Sequence, residues 1–269
     1  YERKNRKMKN FKNKTILITG ASSGIGEAFA KTLDGFGAKL ILTARSEDKL
    51  NEMAKKMNNA IVISGDLSDQ NFPKKLYNRV KEKNLCVDIL INNAGFGFSG
   101  LFLESSIDNY KDMLNVNVYS LMELSHLFLN DMVEKKSGGI INISSLASFQ
   151  PIPYFSIYAA TKSFVTSFTK SLYEEYRSEG IRVLGVCPGY TRTNFNIRAQ
   201  MQEKSVPGYT MTSQAVVDQS LKAYSRGDFL IINGFINRFA RFLMSLLPTW
   251  LSLKLSKNVI KRGMDNRNW

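Results

Sequence analysis

Residues 15–26 read TILITGASSGIG, and this stretch decides how the chain begins to fold. Thr15–Thr19 is a short β-branched apolar run, which predicts a buried strand. The glycines that follow allow backbone conformations closed to other residues and let a ligand approach the main chain. From Ile25 to Phe36, apolar residues recur at helical spacing. A strand, a glycine-rich turn and a helix in this order predict the first unit of a parallel α/β sheet.

Six further apolar runs have the length and β-branched content of the first. They are residues 40–43, 60–63, 87–91, 139–143, 181–186 and 229–232. Helical patterns fill the intervals, most clearly at 109–134 and 157–179. Continuously apolar strands separated by helices predict a parallel sheet that is covered on both faces. With right-handed crossovers, the expected fold class is α/β, a doubly wound, seven-stranded parallel sheet of the Rossmann type.

Charge is distributed unevenly along the chain. No linker, repeat or low-complexity segment is visible, so we expect one domain over residues 1–269. The net charge is +14, of which residues 1–14 carry +6 and residues 236–269 carry +6. We therefore expect a basic N-terminal extension, 1–13, and a basic, apolar C-terminal extension, 235–269. The nearly neutral body between them argues against a nucleic-acid-binding face.

The chain lacks the clusters of histidine and cysteine that hold metals. His126 is the single histidine, and Cys86 and Cys187 lie far apart in apolar runs. We therefore expect no metal site and two free thiols, which favours a reducing, cytoplasmic compartment. No stretch reaches the roughly 20 apolar residues of a membrane span. No signal peptide is recognisable in the sequence.

The turn after the first strand has the chemistry of a phosphate-binding loop. Free N–H groups at a helix N-terminus and the positive end of the helix dipole attract a pyrophosphate. The second strand ends at Ala44 and Arg45, without the acid that usually holds the ribose 2′-hydroxyl of NAD. Because an arginine there can pair with a 2′-phosphate, the sequence favours NADP(H) over NAD(H). The alternatives are an ordinary glycine-rich turn and an Arg45 that only faces solvent.

Tyr158 and Lys162 are four residues apart in a predicted helix, and they therefore share one face. A neighbouring ammonium favours the phenolate, so we expect a lowered pKa for Tyr158. Such a phenol can serve as general acid or base towards an alcohol or a carbonyl. Ser145 precedes Tyr158 by thirteen residues. Taken singly, the three residues also fit a core aromatic, a solvated lysine and a turn serine.

Together these motifs resemble the short-chain dehydrogenase/reductase family in its single-domain form, from about Thr15 to Phe195. Its hydroxysteroid dehydrogenase-like and ketone reductase-like members are most similar. The resemblance implies hydride transfer between a nicotinamide and a carbonyl carbon. The implied catalytic residues are Asn117, Ser145, Tyr158 and Lys162. Tyr158 would exchange a proton with the substrate, whose oxygen Ser145 would hold. Lys162 would lower the Tyr158 pKa and bind the nicotinamide ribose, and Asn117 would organise a water path to Lys162. Ser144 is the alternative to Ser145, although the spacing favours Ser145.

The resemblance also implies cofactor-binding residues near the ends of successive strands. They are Gly20, Ser22, Ser23, Gly24, Ile25, Gly26, Arg45, Asp66, Leu67, Asn93, Ala94, Gly95, Tyr158, Lys162, Pro188, Gly189, Thr191 and Thr193. Aromatic and apolar residues near this edge predict a pocket for a small lipophilic carbonyl or alcohol. The candidate substrate contacts are Phe96, Phe149, Tyr154, Tyr190 and Phe195, with Phe98 and Ile152 as further walls. The alternative is that several of these rings pack in the core or in a lid formed by residues 194–212.

Two helical regions, 109–134 and 157–179, resemble the family's dimer interface, so we expect a homodimer or homotetramer. The C-terminal stretch is apolar at 242–247, resumes at Trp250 and has basic flanks. This pattern fits an interfacial helix on an anionic membrane surface, and hence peripheral membrane association. A subunit interface or a flap over the pocket is the alternative. The alternative to an enzyme is a catalytically silent NADP(H)-binding sensor or scaffold, against which the complete tetrad argues.

Overall fold

The computed structural model describes residues 10–193, 195, 199 and 210–262. Its sheet has seven strands, all paired in parallel, in the order β3-β2-β1-β4-β5-β6-β7. The strands are β1 (Thr15–Thr19), β2 (Lys39–Thr43), β3 (Ala60–Val62), β4 (Ile89–Asn92), β5 (Gly138–Ile143), β6 (Ile181–Cys187) and β7 (Leu230–Ile232). The strand order reverses between β1 and β4. The expected doubly wound, seven-stranded sheet is confirmed.

Helices cover both faces of the sheet. They are α1 (Gly24–Asp34), α2 (Glu47–Ala54), α3 (Phe72–Glu82), α4 (Ile107–Leu114), α5 (Ser120–Glu134), α6 (Ser156–Tyr176), α7 (Ser213–Arg226), α8 (Phe235–Ser245) and α9 (Thr249–Arg262). Short 3₁₀ segments lie at Phe102–Glu104, Leu146–Phe149 and Arg177–Glu179. Strand ends differ from the expected ones by one or two residues, which is the usual uncertainty of an element boundary.

The strands are continuously apolar because both faces of the sheet are buried. Along β1, Ile16 and Ile18 pack in one core with Phe29 of α1 and Leu221 of α7. Leu17 packs in the other core, which α3, α5 and α6 cover. Burying one such side chain contributes about 1.5–3 kcal/mol. The two cores therefore fix the sheet firmly and hold its carboxyl edge in one geometry.

The helical region expected over 109–134 contains one widened turn. A π-helical turn, Asn115–Tyr119, joins α4 to α5. In this turn the Asn117 amide donates to the carbonyl of Phe96 at 2.9 Å and to Thr161 Oγ1 at 3.0 Å. The region is helical throughout, as predicted, but apolar periodicity did not reveal the single widened turn within it. Such turns occur frequently at functional sites.

The described part of the C-terminal extension forms α8 and α9. In α8 only Asn237 is buried, whereas α9 buries Ser256 and Ile260. Ser256 Oγ donates to the carbonyl of Pro151 at 3.5 Å, so α9 contacts the segment that precedes α6. No helix in the described ranges has both the length and the apolar character needed to cross a membrane. Parts of the expected extensions and lid, namely residues 1–9, 194, 196–198, 200–209 and 263–269, lie outside the described residues.

Candidate active site

A cavity of about 810 Å³ lies where β1 to β6 end, across the point at which the strand order reverses. Open α/β sheets bind their ligands at this position. Most of the expected site residues line it. They are Gly20, Ser22, Ser23, Gly24, Ile25, Arg45, Asp66, Leu67, Asn93, Ala94, Gly95, Phe96, Ser145, Tyr158, Lys162, Pro188, Gly189, Tyr190, Thr191, Thr193 and Phe195. The structure thus brings together residues from six strand ends.

The glycine loop at residues 20–26 contains two residues in the left-handed conformation, and a side chain from the end of β4 supports it. Gly20 and Gly24 have φ angles of 63° and 59°. Asn93, which follows β4, donates its side-chain amide to the carbonyls of Thr19 at 2.9 Å and Gly20 at 3.1 Å. A Cβ on Gly26 would overlap the Gly20 carbonyl and the Asn93 amide. Gly26 therefore packs the loop against its brace rather than lining the cavity.

The start of α1 fits a phosphate group. Ser23 precedes the helix with an extended backbone, and its side chain does not cap the first turn. Ser22 and Ser23 both line the cavity, so two hydroxyls accompany the uncapped N–H groups. Such a helix terminus binds anions through its N–H groups and dipole. The residues present at this end of the cavity therefore fit the pyrophosphate of a dinucleotide.

Charged side chains gather where β2 and β3 end. The Arg45 guanidinium lies 3.8 Å from the Asp66 carboxylate, and the two side chains are 54% and 43% exposed. Ion pairs this exposed contribute only about 0–1 kcal/mol. Lys49 of α2 lines the same end of the cavity. Lys49 was not among the expected site residues, although its position four residues after Arg45 was an available signal.

Tyr158 and Lys162 lie one turn apart on α6, and both are buried and line the cavity. The Lys162 ammonium is 5.7 Å from the centre of the Tyr158 ring. It donates to the carbonyl of Ile143, the last residue of β5, at 2.9 Å. The strand end therefore fixes the position of the ammonium beside the phenol.

Burial controls the protonation of both groups. Loss of hydration raises the pKa of Tyr158 to about 12, and a hydrogen bond with Ser145 opposes this rise. The same loss lowers the pKa of Lys162 to about 8. The expectation of a lowered Tyr158 pKa was wrong, because the ammonium does not offset the removal of the phenol from water. Tyr158 is therefore a protonated phenol at neutral pH, the state from which it can donate a proton.

The neighbouring serines differ in their contacts. Ser144 is buried, and its hydroxyl donates to the carbonyl of Lys162 at 2.9 Å and lies 2.6 Å from the Thr166 hydroxyl. It links the end of β5 to α6. Ser145 immediately precedes the following 3₁₀ segment, accepts a hydrogen bond from the Ala147 N–H at 3.1 Å and hydrogen-bonds with the Tyr158 phenol. Ser145 is therefore the serine that can act together with the phenol.

Asn117 lies behind the cavity wall. Its Oδ1 accepts a hydrogen bond from the Phe96 N–H at 3.0 Å. A Cβ on Gly95 would lie 3.1 Å from Asn117 Oδ1 and 3.2 Å from Lys162 Nζ. Only a glycine leaves both groups undisturbed here. The amide oxygen and the ammonium thus lie beside the same small residue.

Three of the expected wall residues lie elsewhere. The Phe149 ring lies 5.1 Å from the Arg241 guanidinium of α8. Tyr154 has a φ angle of 65°, and its carbonyl accepts a hydrogen bond from Gly100 at 2.8 Å. Phe98 is packed in a small core. The described lining of the cavity includes none of the three. Their aromatic character indicated that these side chains would be buried, but it could not indicate which neighbours they pack against.

Other apolar residues form the wall instead. Ile152 lines the cavity as expected, and Phe155 joins it with its ring 4.4 Å from that of Tyr158. Phe195 lies 5.2 Å from Tyr158. Ile260 of α9 also lines the cavity. The position of Phe155, three residues before Tyr158, was a usable signal, whereas nothing near Ile260 in the sequence indicates its place.

Three comparisons with known proteins point to the same family. The sequence model of the family described as short chain dehydrogenase matches residues 14–204. A very-long-chain 3-oxoacyl-CoA reductase from Macaca fascicularis is 33% identical over 254 residues, which are 91% of this chain and 79% of the relative. A short-chain dehydrogenase from Sphingobium yanoikuyae, solved in complex with NADPH, is 30% identical with a TM-score of 0.78, covering 87% of this chain and 96% of that one.

A further solved structure is less similar in sequence than the Sphingobium yanoikuyae enzyme. It is a bulky-bulky ketone specific alcohol dehydrogenase from Comamonas testosteroni, 27% identical with a TM-score of 0.72, and the match covers 87% of this chain and 95% of that one. The family match spans β1 to β6 and every catalytic residue implied by the resemblance. This chain belongs to the short-chain dehydrogenase/reductase family of oxidoreductases.

Proposed function

We propose that this chain is an NADP(H)-dependent oxidoreductase that interconverts a carbonyl and an alcohol on a lipophilic substrate, with Tyr158 as general acid/base. The observation that carries the proposal is the convergence of Tyr158, Lys162 and Ser145 on one wall of the cavity. General acid–base catalysis of this kind contributes roughly 10²–10⁴-fold in rate.

The contacts support a separate task for each side chain in the direction of reduction. A bound nicotinamide supplies the hydride. Ser145 holds the substrate oxygen, and Tyr158 donates its proton to that oxygen as negative charge develops. Because an alkoxide is far more basic than a phenolate, a phenol with a pKa of about 12 still transfers its proton. Lys162, anchored on the Ile143 carbonyl, then stabilises the phenolate by its charge.

The apolar wall supports a lipophilic substrate. Phe96, Ile152, Phe155 and Phe195 surround the phenol side of the cavity. Pockets of this kind bury most of an apolar ligand and orient it through a few polar groups. The Macaca fascicularis relative is named for very-long-chain 3-oxoacyl-CoA, and the Comamonas testosteroni enzyme for bulky ketones. We therefore propose a long-chain 3-oxoacyl thioester first and a bulky ketone second.

The test measures oxidation of NADPH and of NADH with a panel of 3-oxoacyl thioesters and bulky ketones. Tyr158→Phe should lose about 100-fold or more in kcat while it binds NADPH normally, as expected for loss of a general acid. Tyr77→Phe is the control, because its hydroxyl donates to Asp131 away from the cavity. Wild-type turnover by Tyr158→Phe would refute the mechanism. NADPH binding without turnover of any panel member would instead favour the silent sensor or scaffold.

We also propose a homo-oligomer built on α4, α5 and α6. Leu114, Met122 and Phe164, one from each helix, are 47%, 40% and 37% exposed. Exposed apolar residues on neighbouring helices are typical of a face that a second copy covers. Phe164→Glu should shift the mass measured by light scattering towards that of one chain. An unchanged mass in Phe164→Glu would remove this face from the proposal.

The exposed face of α8 supports the proposed contact with an anionic membrane. Its apolar residues are between 46% and 74% exposed and recur at helical spacing. They are Phe235, Ile236, Phe239, Phe242 and Leu243, with Leu246 directly after the helix. The sequence contains no acid from 229 to 262, while exposed cations flank this face, including Arg238 and Lys254. Like charges disfavour a second copy here, whereas a lipid surface that is apolar below and anionic above fits both features. Peripheral attachment in the cytoplasm, in keeping with the free thiols of Cys86 and Cys187, completes the proposal.

Vesicle flotation tests this contact. The full chain should float with phosphatidylserine vesicles and much less with phosphatidylcholine vesicles. A Phe239→Glu and Phe242→Glu double variant should stay in the aqueous fraction. Phe229→Glu is the matched control, because Phe229 is 47% exposed but precedes β7, at the amino edge of the sheet away from α8. Equal flotation of all three proteins would eliminate the membrane contact through α8.

A further inference from the structure

Lys49 lines the end of the cavity at which Arg45 and Asp66 meet. Resting on the proposed NADP(H) dependence, we infer that Lys49 supplies the positive charge by which the site distinguishes a 2′-phosphate from a 2′-hydroxyl. It lies in the first turn of α2, four residues after Arg45. The inference makes Lys49, acting with Arg45, a determinant of cofactor specificity.

The balance of charge at this end carries the argument. The Arg45 guanidinium is 3.8 Å from the Asp66 carboxylate, so the two opposite charges largely cancel for a ligand several ångströms away. Glu47, which accepts a hydrogen bond from Ser64 Oγ at 2.8 Å, does not line the cavity in the described chain. Lys49 forms no ion pair with any acid of the described residues. The uncompensated charge is therefore that of Lys49.

Helix α2 supplies a second, independent observation. A helix favours acids in its first turn and cations in its last turn, each by about 0.3–1 kcal/mol. Glu47 and Asp48 obey this rule, but Lys49 opposes it in the same turn. Residues that break a local rule without a local gain are expected at functional sites. A phosphate beside the first turn would compensate both the lysine and the positive end of the helix.

Two ligands that differ only in the 2′-phosphate test the inference without any catalysis. The full chain is titrated by calorimetry with 2′,5′-ADP and with 5′-AMP. Lys49→Ala should bind 2′,5′-ADP about 10-fold more weakly, as expected for loss of one charged contact to phosphate. Its affinity for 5′-AMP should change less than about twofold. Lys49→Arg should retain most of the preference, because the charge is kept.

Lys55→Ala is the matched control, since Lys55 is an exposed lysine at the end of the same helix and does not line the cavity. It should leave both affinities unchanged. The melting temperature of Lys49→Ala should not fall, because a cation leaves the positive end of a helix. Wild-type affinity of Lys49→Ala for 2′,5′-ADP, with a loss in Arg45→Ala, would assign the phosphate to Arg45 alone and overturn the inference.

Three other outcomes would also be decisive. An equal loss of both ligands in Lys49→Ala would show a general effect on the adenosine site and would overturn the inference. If the wild-type chain binds 2′,5′-ADP no better than 5′-AMP, the proposed NADP(H) preference itself fails. If it prefers 2′,5′-ADP, and Lys49→Ala loses that preference while Lys55→Ala keeps it, both statements stand. The failure of one is thereby distinguished from the failure of the other.

Discussion

Replacing Lys162 by methionine should change how the stability of the fold depends on pH. The buried ammonium has a pKa lowered from 10.5 to about 8. Because one pKa unit corresponds to about 1.4 kcal/mol, burial disfavours the charged lysine by about 3 kcal/mol. Methionine has a similar length and no charge, so it removes this penalty. It also leaves the Ile143 carbonyl without its 2.9 Å partner, which costs about 1–3 kcal/mol at every pH.

The sign follows from proton binding. Between pH 8 and 10.5 the unfolded chain keeps the Lys162 proton that the folded chain has lost. The free energy of unfolding of the wild type therefore rises across this window relative to that of Lys162→Met. Urea unfolding of the cofactor-free proteins at pH 7 and pH 10 should show a relative gain of about 2–3 kcal/mol for the wild type. The raised pKa of Tyr158 is common to both proteins and cancels in the difference.

The control is Lys55→Met, which changes an exposed lysine at the end of α2. Its unfolding free energy should follow the wild type at every pH. If Lys162→Met also runs parallel to the wild type from pH 7 to pH 10, the ammonium is not held in a dehydrated site and the account of its pKa is wrong. Loss of turnover in Lys162→Met would accompany either result and does not decide between them.

Four further substitutions each test a single contact. Ser144→Ala should lower the free energy of unfolding by about 1–3 kcal/mol because its hydroxyl joins two buried elements. Ser145→Ala should instead lower kcat with little change in the urea midpoint, and identical effects of the two variants would contradict their separate roles. Asn93→Ala should weaken cofactor binding, measured by fluorescence quenching, because its amide braces two carbonyls of the glycine loop; unchanged affinity would refute this. Gly189→Ala should lower cofactor affinity because its Cβ would lie 2.6 Å from Asn237 Cγ. Adding Asn237→Ala should restore the affinity, and failure to restore it would exclude this clash as the cause.

The fold and most of the site residues could be predicted because both depend on short, local stretches of sequence. Each strand is a run of apolar residues, and each site motif follows directly where a strand ends. Local periodicity and a parallel sheet were therefore enough to predict that one edge carries the loop at residues 20–26 and the pair Tyr158 and Lys162. The π-helical turn at 115–119 was not predicted, because a widened turn leaves the apolar pattern on both sides of it intact.

The sequence by itself thus determined the order of the elements, the edge of the sheet that carries the site and the residue types available there. Tertiary packing decided the rest. The raised pKa of Tyr158 depends on its removal from water, which no spacing of residues records. The exclusion of Phe149 and the inclusion of Ile260 in the cavity depend on how α8 and α9 pack against the segment between β5 and α6. Burial and the approach of distant segments are properties of the assembled chain, because both arise from surfaces that meet only after the local elements have formed.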